Sequence, residues 1–158
     1  MTRRQHTLLA SALLALMVAA PATSAGPGAT KGPGGNRPLV IAAGAFASDG
    51  DHAAAYWIPG EYISGGAGVT MRAPVYLPPH AYVTDVIITA KDGNPSLDAH
   101  VYLHETPFGT LGGDVEIVHL QTTGSSADMQ YPSDYDVERS FDSANNAYWI
   151  EAYLPADD

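Results

Sequence analysis

The stretch LDAHVYLHE, residues 97–105, decides the fold class because its apolar and polar side chains alternate regularly. Successive side chains of an extended strand point to opposite faces of a sheet. This alternation therefore predicts a β-strand with one face in the core and one face toward solvent. The predicted inner face consists of Leu97, Ala99, Val101 and Leu103, and the predicted outer face consists of Asp98, His100, Tyr102 and His104.

The rest of the chain from Leu39 onward has the same texture, with short runs rich in Val, Ile, Tyr and Thr that are broken by Gly, Pro, Asn and Asp. Runs at this spacing are typical of a β-sandwich or barrel. The run VIITA, residues 86–90, is apolar on both parities and favours two sheets packed face to face. We therefore expect an all-β, jelly-roll-like antiparallel β-sandwich of about eight strands, at residues 39–46, 55–58, 69–77, 81–91, 97–105, 115–122, 135–141 and 147–154.

Residues 1–25 have the features of a signal peptide. Arg3 and Arg4 precede an uncharged, mostly apolar run over residues 8–20, and the sequence TSA at 23–25 supplies the small residues that a signal peptidase accepts. The apolar run is too short to serve as a mature membrane anchor. We expect a secreted chain, extracellular or periplasmic, that is cleaved after Ala25 and has no membrane anchor.

Residues 26–38, GPGATKGPGGNRP, are dense in glycine and proline and almost free of large apolar side chains. This composition predicts a flexible leader. Residues 39–158 are then long enough for one β-sandwich domain with its own core. The sequence contains no cysteine, which excludes disulfides and thiolate metal centres, so we expect the core alone to stabilise the domain.

The chain is acidic, with a formal net charge of −10 at pH 7. Loss of Arg3 and Arg4 with the signal peptide would make the charge more negative still. Sequence-independent binding to nucleic acid requires clustered Lys and Arg, so we expect no nucleic-acid partner. A solvated acidic surface also serves solubility.

The outer face of the predicted strand contains candidate metal ligands. His100 and His104 lie roughly 13 Å apart along a strand, too far for one zinc ion, whose nitrogen ligands are no more than about 4 Å apart. Asp98 and His100 lie only about 6.6 Å apart. A hairpin of symmetric register would place His119 opposite His100, which makes Asp98, His100 and His119 a candidate metal site.

The strand predicted at 115–122 complicates this register. Its apolar residues begin on one parity, at Val115, and continue on the other, at Val118, which predicts a β-bulge near Ile117. A shift of one residue would send His119 to the opposite face. The alternative interpretation is that these histidines are the half-exposed polar side of a sheet.

Two loops contain alternating aspartates, SDGDH at 48–52 and SDYD at 133–136. Loop carboxylates of this kind bind calcium in many extracellular domains, although neither loop has a complete calcium-binding pattern. Short carboxylates beside Gly, Ser and Asn also stabilise turns without an ion. The candidate calcium ligands are Asp49, Asp51, Asp134 and Asp136, and no other cofactor is expected.

Aromatic side chains are candidate ligand-binding groups, because the chain has nine tyrosines and two tryptophans against three phenylalanines. An exposed row of amphipathic rings suits stacking on sugars or a protein interface. Rings on strands also pack across a sandwich core, so both interpretations stay open. The residues that parity places outward are Trp57, Tyr102, Trp149 and Tyr153.

The sequence lacks a nucleophile elbow, a zinc-protease helix motif and a glycine-rich phosphate loop, so we predict no catalytic residue. We expect a non-catalytic protein that binds an extracellular protein or carbohydrate, or that assembles into a homo-oligomer such as a trimer through outward aromatic faces. The alternative is a carbohydrate-active protein, either a sugar-binding module or a glycosidase with two acidic residues.

Two segments contain a series of features in a fixed order. The first, APVYLPPHAYVTDVIITAKDGN (73–94), has an apolar strand, an LP turn, a V-T strand and an acidic turn, and the second, NNAYWIEAYLP (145–155), is a closing strand with alternating aromatics. This order resembles a loose group of exported bacterial single-domain β-sandwich proteins of unknown function. The resemblance implies a jelly-roll-like sandwich and transfers no catalytic residue. Members of the group have glycine where this chain has His80.

Overall fold

A computed structural model of the chain describes residues 16–20, 37–48, 55–58, 62–65, 68–78, 80–109 and 113–155. The expected all-β class is confirmed, since these residues form antiparallel strands and one short 3₁₀ helix, Ala43–Ala45. No helix in these residues is long and apolar enough to cross a membrane. The strands are β1 Leu16–Ala20, β2 Arg37–Ile41, β3 Ala47–Ser48, β4 Ala55–Ile58, β5 Tyr62–Gly65, β6 Val69–Pro74, β7 Tyr82–Val83, β8 Asp85–Ile87, β9 His100–Pro107, β10 Val115–Gln121, β11 Ser133–Asp134, β12 Arg139–Ser140 and β13 Asn146–Leu154.

The largest element is a five-stranded sheet in the order β10-β9-β13-β6-β3. A four-stranded sheet has the order β11-β8-β1-β2, and β12-β7 and β4-β5 form two-stranded sheets. Ile41 of β2 and Val86 of β8 belong to the same buried cluster as Val101 of β9 and Ile150 of β13. The two larger sheets therefore share one hydrophobic core, as a sandwich requires.

The predicted alternation of strand 97–105 is confirmed for most of its length. Ala99, Val101 and Leu103 are buried, whereas His100, Tyr102 and His104 are half-buried on the other face. Strand β13 has the same alternation against β9. The alternating pattern therefore defines both the core side and the outer side of this sheet.

The predicted start of this strand at Leu97 is wrong, because β9 begins at His100 and Leu97 is 47 % exposed. The carboxamide oxygen of Asn94 accepts hydrogen bonds from the backbone amides of Ser96 and Leu97, at 2.8 and 3.0 Å. An Asn side chain that captures nearby backbone amides replaces the ladder bonds of a strand with those of a turn.

The number of strands is thirteen in the described residues rather than about eight, because one predicted run is divided into two strands and four strands, β1, β3, β5 and β11, lie outside the predicted runs. The run predicted at 81–91 becomes β7, which pairs with β12, and β8, which pairs with β1 and β11. Thr84 separates the two strands, and its carbonyl accepts a hydrogen bond from the amide of Val137 at 3.2 Å. One apolar run thus contributes to two sheets, which its hydropathy pattern did not indicate.

The predicted bulge near Ile117 is confirmed, since the β9–β10 register shifts between Glu116 and Val118. The predicted pairing of His119 with His100 is wrong. His119 lies opposite Tyr102, two residues further along β9.

Two separate one-residue offsets account for this difference. At the loop end of the hairpin, Val115 pairs with Glu105 instead of His104, and the bulge adds the second residue. Because side chains alternate with a period of two, the two offsets cancel in parity. His119 therefore stays on the same face as His100 although the register was predicted incorrectly.

Strand β1 lies within the segment that the sequence predicts to be a signal peptide, and it pairs with both β2 and β8. Cleavage after Ala25 would remove β1 from between these strands. The cleavage site and the domain boundaries stay predictions. Residues 26–36 of the predicted leader 26–38 lie outside the described residues, and its last two residues, Arg37 and Pro38, belong to β2.

His80 adopts a backbone φ of 60°, in the left-handed region that glycine enters without steric cost. The His80 side chain is exposed, so its size causes no clash in the core.

A buried hydrogen-bond network connects the loop before β9 with the loop after β10. The carboxylate of Asp92 accepts hydrogen bonds from the amides of Asn94 and Ala99, at 2.9 and 3.3 Å, and from the hydroxyl of Thr122. Asp92 is 4 % exposed and Thr122 is fully buried. Buried polar groups are tolerated when they are hydrogen-bonded, so this network fixes one end of the sandwich.

A second polar cluster fixes the opposite end of β9. Glu105, which is 9 % exposed, forms an ion pair with Arg139 and accepts a hydrogen bond from the Tyr148 hydroxyl at 3.2 Å. The same hydroxyl accepts a hydrogen bond from the amide of Asp142 at 2.9 Å. Burial raises the pKa of Tyr148 above its ordinary value, and the nearby Glu105 adds to this rise. The phenol therefore stays protonated and can donate to Glu105.

Replacement of Thr122 by valine tests the first network. The variant keeps the shape of the side chain but leaves the buried Asp92 carboxylate without its hydroxyl donor, so we expect the free energy of unfolding to fall by about 1 to 3 kcal/mol. Urea denaturation measures the change. The matched control is Thr123→Val, because Thr123 is exposed and its replacement should change stability by no more than about 0.5 kcal/mol. Equal effects of the two variants would show that the network is not stabilising.

Candidate functional site

Six aromatic and imidazole side chains lie together on the outer face of the five-stranded sheet. His119 is exposed and the other five are half-buried. Their positions follow from strand alternation, because their sequence neighbours fill the core. We call this surface the ring face; its members are His100, Tyr102 and His104 of β9, His119 of β10, and Trp149 and Tyr153 of β13.

The residues of the ring face lie in three rows that run across β10, β9, β13 and β6. The rows form because paired residues of neighbouring strands lie directly opposite one another. At roughly 4.8 Å between strands, a row of four residues is about 14 Å wide. The rows are Gln121-His100-Tyr153-Thr70, His119-Tyr102-Glu151-Arg72 and Glu116-His104-Trp149-Pro74.

The rings pack against one another through their flat faces. The Tyr102 and His119 rings are 4.4 Å apart at 14°, and the His104 and Trp149 rings are 4.2 Å apart at 18°. Since these partners stand beside each other on the sheet, the ring normals run along the sheet surface. The rings of Tyr102 and His119 therefore stand on edge on the sheet, whereas both nitrogens of His104 are buried and Nε1 of Trp149 is bound to Thr106.

Trp149 shows most clearly that ring faces are covered. Strand β13 lies between β9 and β6, and the indole lies between His104 on one side and the Arg72 guanidinium on the other, 4.8 Å from its centroid. Its Nε1 donates a hydrogen bond to Thr106 at 2.9 Å. Arg72 is itself held by Glu151, with a shortest nitrogen–oxygen distance of 2.9 Å. The indole is thus fixed by neighbours on both faces.

His100 and His119 form a direct contact on this surface. Nδ1 of His100 lies 2.9 Å from Nε2 of His119, within hydrogen-bond distance, and the rings are 5.2 Å apart. Partial burial lowers the pKa of His100 from its ordinary value, and His119 lowers it further, whereas Asp98 opposes the shift. A neutral His100 can share a hydrogen bond with its neighbour.

His104 is the least satisfied polar group of the ring face. Both of its ring nitrogens are buried, and neither has a hydrogen-bond partner among the residues that the structure describes. Its ring is enclosed by Trp149 and by Tyr102, whose centroid is 5.9 Å away. The imidazole therefore acts here as a flat packing surface between two larger rings.

The structure brings together only part of the predicted metal site. His100 and His119 meet, whereas Oδ1 of Asp98 accepts a hydrogen bond from the amide of Gly124 at 2.7 Å. In the described residues, no three His, Asp or Glu side chains are arranged to hold a metal ion. The three-ligand site stays a prediction, and its histidine pair is the part that the fold assembles.

The predicted calcium ligands fall into two groups. Asp134 accepts a hydrogen bond from the backbone amide of Asp136 at 2.9 Å, the turn-stabilising geometry of a short carboxylate. Asp49 and Asp51 lie outside the described residues, as does the side chain of Trp57. The calcium prediction is untested in both loops.

Tyr102, Trp149 and Tyr153, which parity predicts to lie outward, are members of the ring face. Arg72 and its contact with Glu151 are not among the predicted site residues. Parity could have placed each of these two residues on an outer face, because both strands alternate. Their contact required the register between β6 and β13, where Glu151 lies opposite Arg72, and the sequence holds no signal for that register.

No family model, curated protein or solved structure matches the chain. The resemblance to exported β-sandwich proteins therefore stays a prediction. The ring face is the feature from which a function can be argued.

The unpartnered nitrogens of His104 predict that His104→Phe stabilises the protein. Phenylalanine retains a ring against Trp149 and removes two buried polar atoms, so we expect the free energy of unfolding to rise by about 1 kcal/mol or more. Thermal and urea denaturation measure this change. His119→Phe is the control, because this exposed residue loses its contact with His100 and should give no gain. A marked loss of stability in His104→Phe would show that the imidazole has a partner.

The lowered pKa of His100 predicts a specific pH dependence. Below the ordinary value of 6.5, the unfolded chain gains a proton at this residue before the folded chain does, so the free energy of unfolding falls as the pH decreases through the lowered pKa. NMR titration should place His100 below 6.5, and His119→Gln should move it upward. Denaturation of His100→Gln should show a smaller loss of stability on acidification than the wild type. A His100 pKa above 6.5 would contradict this.

Proposed function

We propose that the chain is a secreted, non-catalytic binding protein whose ring face contacts an extracellular protein. The observation that carries this proposal is the concentration of six partly or fully exposed rings on one continuous sheet surface. Tyrosine, tryptophan and arginine are enriched in protein interfaces and in their energetically dominant positions. Contiguous surfaces of this kind are often functional in soluble proteins.

Preorganisation supports the proposal. The rings are held by mutual stacking, by the hydrogen bond of Trp149 to Thr106 and by the ion pair of Arg72 with Glu151. Ordering an interfacial side chain costs roughly 0.5 to 1.5 kcal/mol on binding. Side chains that are already fixed avoid much of this cost, so the surface is suited to recognition without rearrangement.

The chemistry of the ring edges indicates the kind of partner. Tyr102 and Tyr153 carry hydroxyls, and the carboxylates of Glu116 and Glu151 lie close enough to Tyr102 to raise its pKa, although burial is the larger cause. The whole chain carries a formal charge of −10. Complementary potentials favour association, so we propose a partner surface with basic groups and hydrogen-bond donors.

A carbohydrate ligand is the second candidate function. Sugars stack on uncovered ring faces, and the covered indole of Trp149 is unsuited to that role. Tyr153 is the better candidate, because its ring is tilted at 44° to His100 at 6.2 Å and its other strand neighbour is Thr70. The nearby Glu151 could accept hydrogen bonds from sugar hydroxyls.

Export and assembly complete the proposal. We propose that the exported chain begins at Gly26, which would remove β1 from between β2 and β8. The alternative partner is a second or third copy of the chain, which the formal charge of −10 on each copy disfavours relative to a basic partner. Mass spectrometry of the exported protein tests the first statement, and light scattering over a range of concentrations tests the second.

A paired set of variants tests the ring face itself. Tyr102→Ser with Tyr153→Ser removes two ring edges and keeps the net charge, whereas Tyr131→Ser with Tyr135→Ser removes two tyrosines that are 65 % and 63 % exposed elsewhere. NMR titration with an oligolysine peptide should shift ring-face resonances in the wild type. We expect the first double variant to bind at least about tenfold more weakly, a difference of 1.4 kcal/mol, and the second to bind as the wild type does.

Three probes decide between the candidates: oligolysine, a glycan panel and the protein itself at high concentration. Trp57→Phe leaves Trp149 as the fluorescent reporter, because the chain has two tryptophans. Ring-face changes with a glycan alone would favour the carbohydrate function. If no probe perturbs the ring face, or if the two double variants bind equally, the proposed binding surface is wrong.

A further inference from the structure

The contact between His100 and His119 has the geometry of a pair of metal ligands. The two imidazoles belong to adjacent strands, β9 and β10, on the same face of the sheet. Their nearest nitrogens, Nδ1 of His100 and Nε2 of His119, are 2.9 Å apart. His119 is exposed and His100 is half-buried, so an ion in solution can reach them.

The nitrogen–nitrogen distance distinguishes between metal geometries. Imidazole nitrogens lie about 2.0 to 2.1 Å from a bound first-row ion, so two ligands of a tetrahedral ion are separated by about 3.4 Å. Two ligands at a right angle are separated by only about 2.9 Å. The observed separation of 2.9 Å is that of a hydrogen bond between the two imidazoles, and it also equals the separation of adjacent ligands of a square-planar or tetragonal ion.

We propose that His100 and His119 together bind one Cu²⁺ ion, at adjacent positions of a tetragonal site that is completed by water. Tetragonal nitrogen and oxygen coordination is typical of Cu²⁺, which also binds such sites more tightly than the other divalent ions of its row. This site does not depend on the proposed function, because it needs only the histidine pair.

The sheet supplies the two ligands in a fixed relation. His119 lies opposite Tyr102, and His100 is the next outward residue of β9, so the two histidines are diagonal neighbours. The Tyr102 ring stacks on His119 at 4.4 Å and is 6.2 Å from His100 at 11°. Binding requires each imidazole to rotate about its soft terminal torsion while the two nitrogens stay near their observed separation, so that both lone pairs point to one ion instead of sharing a proton.

The remaining coordination positions are open in this arrangement. Asp98 holds the amide of Gly124 at 2.7 Å, and the described residues contain no set of three metal-ligating side chains. The proposed site is therefore narrower than the site of Asp98, His100 and His119 that the sequence predicts. Water or a small exogenous ligand completes the coordination.

Copper titration of the full chain, produced without an affinity tag, tests the proposal. We expect one equivalent of Cu²⁺ to bind, with electron paramagnetic resonance hyperfine splitting from two nitrogens. Paramagnetic broadening in NMR spectra should centre on His100 and His119. Zn²⁺, which prefers the wider tetrahedral separation, should bind more weakly.

Variants locate the site on the chain. His100→Gln and His119→Gln should each weaken Cu²⁺ binding at least about tenfold, and circular dichroism checks that both variants fold. His80→Asn is the matched control, because His80 is exposed and asparagine tolerates its positive φ. The control should bind copper as the wild type does.

Two results would overturn the proposal. Stoichiometric copper binding that is unchanged in both glutamine variants would place the ion elsewhere, for instance at His6 or His52. A wild type that shows no splitting from two nitrogens would show that the pair holds a shared proton and not a metal.

Discussion

The pairing of β9 with both β10 and β13 is the constraint on which the rest of the structure depends. Strand β9 lies between β10 and β13 in the sheet. The registers of these two pairings fix which residues lie opposite one another. Alternation then sends Val101 and Leu103 into the core and Tyr102 and His104 outward. A displacement of one residue would bury imidazoles and expose the core residues. The same pairing therefore determines both stability and the ring face.

The polar networks at the two ends of β9 help to hold this register. Asp92 and Thr122 connect the residues just before β9 to those just after β10. Glu105 and Arg139 form an ion pair at the other end. Both carboxylates are buried and hydrogen-bonded, so slippage of β9 would leave them without partners, at a cost of several kcal/mol for a buried charge. The arrangement of the side chains on the ring face therefore depends on the buried hydrogen bonds at the two ends of β9.

Much of this architecture follows from sequence periodicity, and the remainder follows from long-range pairing. Alternation indicated the all-β class, the two sides of strand 97–105 and the bulge near Ile117. It could not indicate the β6–β13 register that joins Arg72 to Glu151, nor the division of run 81–91 between two sheets. The pairing of His119 was predicted incorrectly, yet its face was correct because two one-residue offsets cancelled. A register error of two residues leaves each side chain on the correct face of the sheet but changes the residue that it contacts.

The ring face is a preformed, stacked surface whose neighbours are defined by the β9–β10 and β9–β13 registers. Nuclear Overhauser contacts between the strands in solution test this arrangement most directly. We expect strong cross-strand contacts between Tyr102 and His119 and between His104 and Trp149, with ring-current shifts on the stacked partners. Backbone contacts that place His119 opposite His100 in the β9–β10 ladder, instead of opposite Tyr102, or rings that show no mutual shifts, would contradict it.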